Sequence, residues 1–312
     1  MSFGRRIGLA IVTVTALALS ACGTIPVETP STVGSAPSAS QVSGGQSTGG
    51  QSASGVAPTP SADFADRLPG SIKAAGVIKV ATDASRAPAE SGDGSMIIGF
   101  DIDLFNAVAA EFGVTADYTN TKPATIIPGI TSGQFDIGVS SLTISADQLK
   151  SATMISYFTA GTQWATKKGN PSNISIDTPC GLTIAVQKDT AQVDDLTSRQ
   201  QVCGNRPIKI KTYDDLDAVA KAVENGTAAA MVADSPSTGY AVQQSGDTLE
   251  ALGDIYDAVT YGYALPLSET DFASAIADAL QQLKADGTYE QILTKWGVQA
   301  GAVDAFAVNP TT

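Results

Sequence analysis

From about Phe64 onward, short apolar extended runs alternate with runs of helical period, and the alternation starts afresh near residue 160. This pattern limits the fold more than any other feature, because β and α in alternation predict a mostly parallel sheet covered by helices on both faces. VIKVAT at 77–82 reads as a strand. DIDLFNAVAAEF at 101–112 reads as a helix, with Leu104, Phe105, Val108 and Phe112 at helical spacing and Gly113 as its stop. A strand at 115–119, a helix at 125–131 and a strand at 136–139 complete a first unit. The second has an extended run at 161–167, a strand at 182–187 and a helix at 190–201. A strand at 208–212, a helix at 213–224 ended by Asn225-Gly226, and a strand at 228–232 follow. Extended residues 261–265 and helices at 271–284 and 289–295 come last. With 312 residues, 43% of them hydrophobic, the chain is long enough for two lobes, and a cleft between them is the natural place for a ligand.

Residues 135–158, FDIGVSSLTISADQLKSATMISYF, read as a buried strand, a Ser/Thr-rich turn, a short helix and a second extended run. The turn places Ser140, Ser141 and Thr143 at the carboxyl end of a strand, where open α/β sheets hold small ligands. No Gly-rich phosphate loop is present, so the hydroxyls suit a small polar molecule. The alternative is that they are ordinary turn residues, since Ser and Thr favour turns and caps.

Lys plus Arg is 18 against 31 Asp plus Glu, a formal net charge of −13, which argues against nucleic-acid binding because that needs basic surface to displace counterions. The chain has no His, which excludes a His-based triad, a His proton shuttle and a His-ligated metal site. No cofactor or metal is expected.

Residues 1–21 carry Arg5 and Arg6, an apolar run from Ile7 to Leu19, and then small residues, the three regions of a secretory signal. Too few apolar residues precede Cys22 for a membrane span. Leu19-Ser20-Ala21-Cys22 resembles the bacterial lipobox, in which the Cys is lipidated; a secreted protein cut elsewhere is the alternative. Residues 22–62 are mainly Ser, Gly, Pro, Thr, Ala and Gln, too poor in large apolar groups to offset backbone entropy, and read as a disordered tether. A lipid anchor with a flexible arm implies a partner at the membrane. Cys180 and Cys203 flank one strand and one helix of the second unit, and in an exported chain they read as a disulfide.

Several motifs recur in order over residues 72–298. They are Thr82-Asp83 with Ala87-Pro88, Gly99-Phe100-Asp101-Ile102-Asp103-Leu104, Ile126-Ile127-Pro128 and Phe135-Asp136. Ser140-Ser141-Leu142-Thr143, Ser156-Tyr157-Phe158 and Lys168-Gly169-Asn170-Pro171 follow, then Ala185-Val186-Gln187, Asp234 and Ala285-Asp286-Gly287-Thr288-Tyr289. In these the chain resembles the amino-acid-type solute-binding proteins of ABC importers, family 3. The resemblance implies an α/β, two-lobe periplasmic-binding-protein fold. Its lobes enclose a ligand by hinge motion, and two strands cross between them near residues 158–160 and 259–261. The implied division is a first lobe at 63–159, a second at 160–258, a return at 259–298 and a tail at 299–312.

The resemblance also assigns roles. In relatives that bind α-amino acids, the Ser140–Thr143 turn and a following Arg hold the ligand carboxylate, and that Arg position carries Gln148 here. A neutral amide supplies no charge-assisted, bidentate contact. Gln148 has a second reading, as the far end of a capping box begun by Ser145. Asp234 matches the acid that pairs with the ligand amine; otherwise it is an N-cap or turn acid before Pro236. Thr190 and Gln192 match a loop that helps hold the carboxylate end, with Asp189 and Ala191 replacing the usual Gly and Thr. Arg86 stands where many relatives place a stacking aromatic and reads either as a ligand contact or as a solvated rim residue. Pro123 replaces a frequent Phe. Asp83 beside Thr82 completes the candidate set. These departures point to an amine-bearing solute that lacks an α-carboxylate, or whose acid group is met by Arg86.

The leading reading is a lipid-anchored, monomeric binding protein on the outer face of the cytoplasmic membrane, delivering a small polar solute to an ABC permease without chemistry of its own. One alternative is a dehydratase-like enzyme on the same fold, with Asp83, Glu90 and Asp234 as its acids. Another is a sensor that binds solute without transport. Trp296, near Ile292 and Leu293, is expected in the core, and Trp164 has no assigned place.

Overall fold

A computed structural model describes residues 62–92 and 96–311. The signal, most of the tether and the lipidation candidate Cys22 lie outside the described residues. In chain order the elements begin with α1 (Ala62–Asp66), α2 (Gly70–Ala75) and β1 (Val77–Thr82). Three short strands follow, β2 (Ser85–Arg86), β3 (Glu90–Gly92) and β4 (Ile97–Ile98), and then α3 (Phe100–Glu111), β5 (Thr115–Asn120), α4 (Pro123–Thr131) and β6 (Ile137–Thr143). A long strand, β7 (Thr153–Lys167), leads to β8 (Thr183–Gln187), α5 (Ala191–Gln200), β9 (Lys209–Tyr213), α6 (Leu216–Glu224), β10 (Ala230–Asp234) and α7 (Ser235–Gln244). The return strand β11 (Leu249–Leu265) precedes α8 (Thr270–Ala285) and α9 (Thr288–Lys295).

Eight strands form one sheet in the order β5-β1-β6-β11-β7-β10-β8-β9. At one end β1 pairs in parallel with β5 and β6, and at the other β8 pairs in parallel with β9 and β10. Between them β7 and β11 run antiparallel to each other and to their other neighbours. Four of the seven strand pairings in this sheet are parallel, and the three antiparallel ones that make the sheet mixed all involve these two long strands, of 15 and 17 residues. They pass between the lobes side by side, with Tyr261 opposite Phe158, Thr260 opposite Thr159 and Val259 opposite Ala160.

Each lobe buries apolar side chains on both faces of its part of the sheet. Leu104, Phe105 and Val108 of α3 pack with Phe272, Ile276 and Leu280 of α8 against Ile78, Val80 and Tyr263. Ile126 and Ile130 of α4 cover the opposite face with Met154 and Ala264. In the second lobe Val219 and Val223 of α6 pack on Ala185 and Met231, while Leu196 of α5 packs with Trp164, Ile184 and Val232. Trp164 is fully buried, and its indole N–H donates to the Tyr256 hydroxyl at 2.9 Å, so its polar edge is satisfied inside the core. Trp296 is half-buried at the end of α9, where its indole N–H donates to Asp103 at 2.7 Å. Cys180 and Cys203 form a disulfide.

Three local readings change. Residues 140–143 are not a turn but the end of β6, with Thr143 opposite Tyr261 and Leu142 opposite Gly262. The short helix after it is a single 3-10 turn, Gln148–Lys150. Residues 235–244, assigned no element from the sequence, form α7 after Asp234, and Pro236 sits in its first turn, where its missing N–H costs nothing.

Candidate functional site

The N-terminus of α3 is built onto the loop after β2. Gly99 has φ of 152° and lies against the Ala89 carbonyl so closely that a side chain there would collide with it. The backbone N–H groups of Phe100 and Asp101 donate to Pro88 O at 3.0 Å and to Ala89 O at 3.3 Å. This docking brings Asp101 beside Glu90, and both side chains are fully buried.

Asp101 Oδ2 accepts three bonds: from Tyr157 Oη at 2.6 Å, from the Ser141 N–H at 2.9 Å and from Ser141 Oγ at 3.1 Å. Ser141 Oγ also lies 3.3 Å from Glu90 Oε1. The remaining oxygens, Asp101 Oδ1 and Glu90 Oε2, are buried and have no other partner. The two carboxyls are hydrogen-bonded to each other, which requires one shared proton. Burial, then the neighbouring Asp101, pushes the Glu90 carboxyl well above the usual carboxylate range. Burial raises the Asp101 carboxyl as well, against the hydrogen bonds from Glu90, Tyr157 and Ser141, so the two carboxyls titrate as a pair that shares one proton. Ser141 has a positive φ of 47°, a conformation costing on the order of 1 kcal/mol that its bonds to Asp101 hold in place.

Above this pair, at the boundary between lobes, lies a cavity of about 220 Å³. Ser85, Arg86, Pro88 and Ser141 line it from the first lobe, Gln187, Asp234 and Ser237 from the second, and Tyr261 from the crossing strand. Its charged lining groups, among the described residues, are Arg86 and Asp234. Burial works against the Arg86 charge, but the negative charge of the Glu90–Asp101 pair outweighs it and holds the guanidinium above its ordinary value. Burial and then Asp234 push the Tyr261 hydroxyl up to about 12, so it stays protonated and can donate.

Asp234 occupies the N-cap position of α7, yet its side chain caps nothing there. Its Oδ1 accepts from Gln192 Nε2 at 2.8 Å, and the same amide nitrogen reaches Thr162 Oγ1 at 3.1 Å. The buried Gln192 thus braces the acid from behind the cavity.

Of the residues singled out from sequence, the cavity brings together Arg86, Ser141 and Asp234, with Gln192 in support. Asp83, Ser140, Thr143, Gln148 and Thr190 do not line it. Asp83 accepts from the Ser85 hydroxyl at 2.8 Å, and its own N–H donates to Ser140 Oγ at 3.0 Å. The Thr190 hydroxyl donates to Gln187 O at 2.8 Å. Ser145 Oγ accepts from the Gln148 N–H at 3.3 Å, one half of the capping box, while Gln148 Oε1 is buried without a partner. Sequence reasoning missed Tyr261 and the pairing of Glu90 with Asp101. The only signal for the latter was Gly99, at a position that needs close backbone approach.

Over residues 78–299 the chain matches the bacterial extracellular solute-binding proteins, family 3. It belongs to that family. The arginine-binding protein ArgT of Corynebacterium glutamicum is 33% identical over 259 residues, spanning 81% of this chain and 85% of the relative. The L-cystine-binding protein TcyJ of Escherichia coli is 27% identical over 237 residues, or 75% and 87% of the two chains. Among solved structures, an ancestral cationic amino acid solute-binding protein aligns with a TM-score of 0.63 at 29% identity, covering 73% of this chain and 98% of that one. A substrate-binding protein of a polar amino acid ABC uptake transporter from Streptococcus thermophilus aligns with a TM-score of 0.67 at 19% identity, covering 74% and 89%, which shows the shared two-lobe fold.

Proposed function

We propose that this family member is a lipid-anchored, extracytoplasmic binding component of an ABC importer that captures a small amine-bearing solute of the amino-acid type. The observation that carries the reading is Asp234. Its carboxylate lines the cavity between lobes, is braced by Gln192 on one oxygen and makes no capping bond of its own. An unpaired acid in a closing cleft is costly, and a ligand ammonium is its natural partner. Relatives named for binding arginine, cystine, histidine and glutamine support an amino-acid-type ligand. Closure of the lobes about β7 and β11 encloses the solute, and the closed form is the one handed to a permease. The anchor rests on the Leu19-Ser20-Ala21-Cys22 motif and the tether that follows it.

A thermal-shift screen of amino acids, amines, polyamines, betaines and small carboxylates tests the reading. A bound solute at 100 times its Kd adds about 2.7 kcal/mol of stability, and at least one amine-bearing member should raise Tm clearly. Stabilisation by amine-free carboxylates alone would contradict the proposal.

A further inference from the structure

We infer that Arg86 holds the solute's acid group, so that the solute is a zwitterion lying across the lobe boundary with its ammonium on Asp234 and its carboxylate on Arg86. The inference rests on the proposed function and selects among the ligands that function allows.

Several donors suited to a carboxylate are already engaged. The N–H and hydroxyl of Ser141 are directed at Asp101 and Glu90. The Ser85 hydroxyl donates to Asp83, and the Gln187 amide donates to Asp214 O at 3.2 Å. Gln148, at the position where relatives that bind α-amino acids place an Arg, does not line the cavity. Besides the neutral hydroxyls of Tyr261 and Ser237, what remains is the Arg86 guanidinium, the one lining cation among the described residues and a fork of donors matched to carboxylate geometry. No carboxylate of the described residues lies within ion-pairing distance of it.

The placement of the two charges matters as much as their number. Arg86 belongs to the first lobe and Asp234 to the second, and both face one cavity. A zwitterion engages both at once and ties the lobes together. The amine left by removing its carboxylate engages Asp234 alone and leaves Arg86 without a partner in a closing cleft, at a desolvation cost. Arg86 is therefore a specificity-determining residue, and it replaces an aromatic surface with a charge.

Calorimetric titration with matched pairs tests this: L-arginine against agmatine, L-lysine against cadaverine, L-histidine against histamine. In at least one pair the wild-type chain should prefer the amino acid by about 10- to 100-fold, the worth of a hydrogen bond to a charged group. Arg86→Gln should abolish the preference, with the amino acid losing affinity and its amine keeping or gaining it because no unpaired charge is left in the cleft; retained amine binding also reports that the variant is folded. Arg86→Lys should restore part of the preference. Equal affinity within every pair, or an amino-acid affinity unmoved by Arg86→Gln, overturns the inference. If binding still depends on Asp234 in that case, the proposed function survives. Binding that survives unchanged in both Asp234→Ala and Arg86→Gln overturns both.

Discussion

Gln192 holds one oxygen of Asp234 at 2.8 Å from within the second lobe, and the other oxygen has no partner among the described residues. Asp234 is thereby aimed without being neutralised. Gln192→Ala should weaken solute binding by roughly tenfold, the worth of one hydrogen bond to a charged group of about 1.5 kcal/mol. Calorimetry checks it, with Gln192→Glu as a second variant. An added carboxylate against Asp234 forces the two to share a proton, so its binding should become strongly pH-dependent. Unchanged affinity in Gln192→Ala would mean that Asp234 needs no brace.

The proton between Glu90 and Asp101 gives stability a pH dependence of defined sign. The Glu90 carboxyl is raised above its ordinary value of 4.5, so the folded chain binds this proton more tightly than the unfolded one. Its stabilisation is full below the unfolded pKa of about 4.3 and is lost as pH rises through the folded value. Glu90→Gln keeps a donor toward Asp101 but does not titrate. Followed from about pH 5 to about pH 9, the wild-type Tm should fall with pH more steeply than that of Glu90→Gln. Parallel profiles would contradict the shared proton.

Gly161 lies in β7 just beyond the crossing, where an added Cβ would sit 2.5 Å from the Tyr256 carbonyl and 2.8 Å from Ile255 Cγ2. Gly161→Ala must push the two crossing strands apart. Overpacking of this kind costs about 1–3 kcal/mol, and urea unfolding should show a loss in that range. A midpoint equal to wild type would show that the strands separate freely there.

The Cys180–Cys203 bridge closes a loop with a sequence separation of 23. Replacing both by Ser should cost roughly 3 kcal/mol on the chain-entropy argument. Reductant should lower the wild-type denaturation midpoint toward that of the double variant and leave the variant's own midpoint unmoved.

Elements with a strong period were legible in the sequence. The helix at 101–112 is α3 within a residue at its end, because Leu104, Phe105 and Val108 mark one buried stripe. Strands β2 to β4 were not legible, since two or three residues carry no period. α7 was missed because SPSTGYAVQQ carries Ser, Pro, Ser, Thr and Gly in its first five positions, which signal a turn rather than a helix. At the site, Asp234 and Arg86 were found through their place in a family pattern. Tyr261 was read only as a strand residue, because nothing local distinguishes a strand position at a crossing. The approach of Glu90 to Asp101 depends on how Gly99 meets Ala89, a contact between backbones that no side-chain pattern records.

The most direct measurement titrates the wild-type chain and Asp234→Ala with the solutes that raise Tm. The account predicts that an amine-bearing solute binds the wild type and loses about 10- to 100-fold in affinity, or all detectable binding, in Asp234→Ala, while the variant unfolds at a temperature close to that of the unliganded wild type. Equal affinity for both proteins would contradict the claim that Asp234 receives the solute's amine.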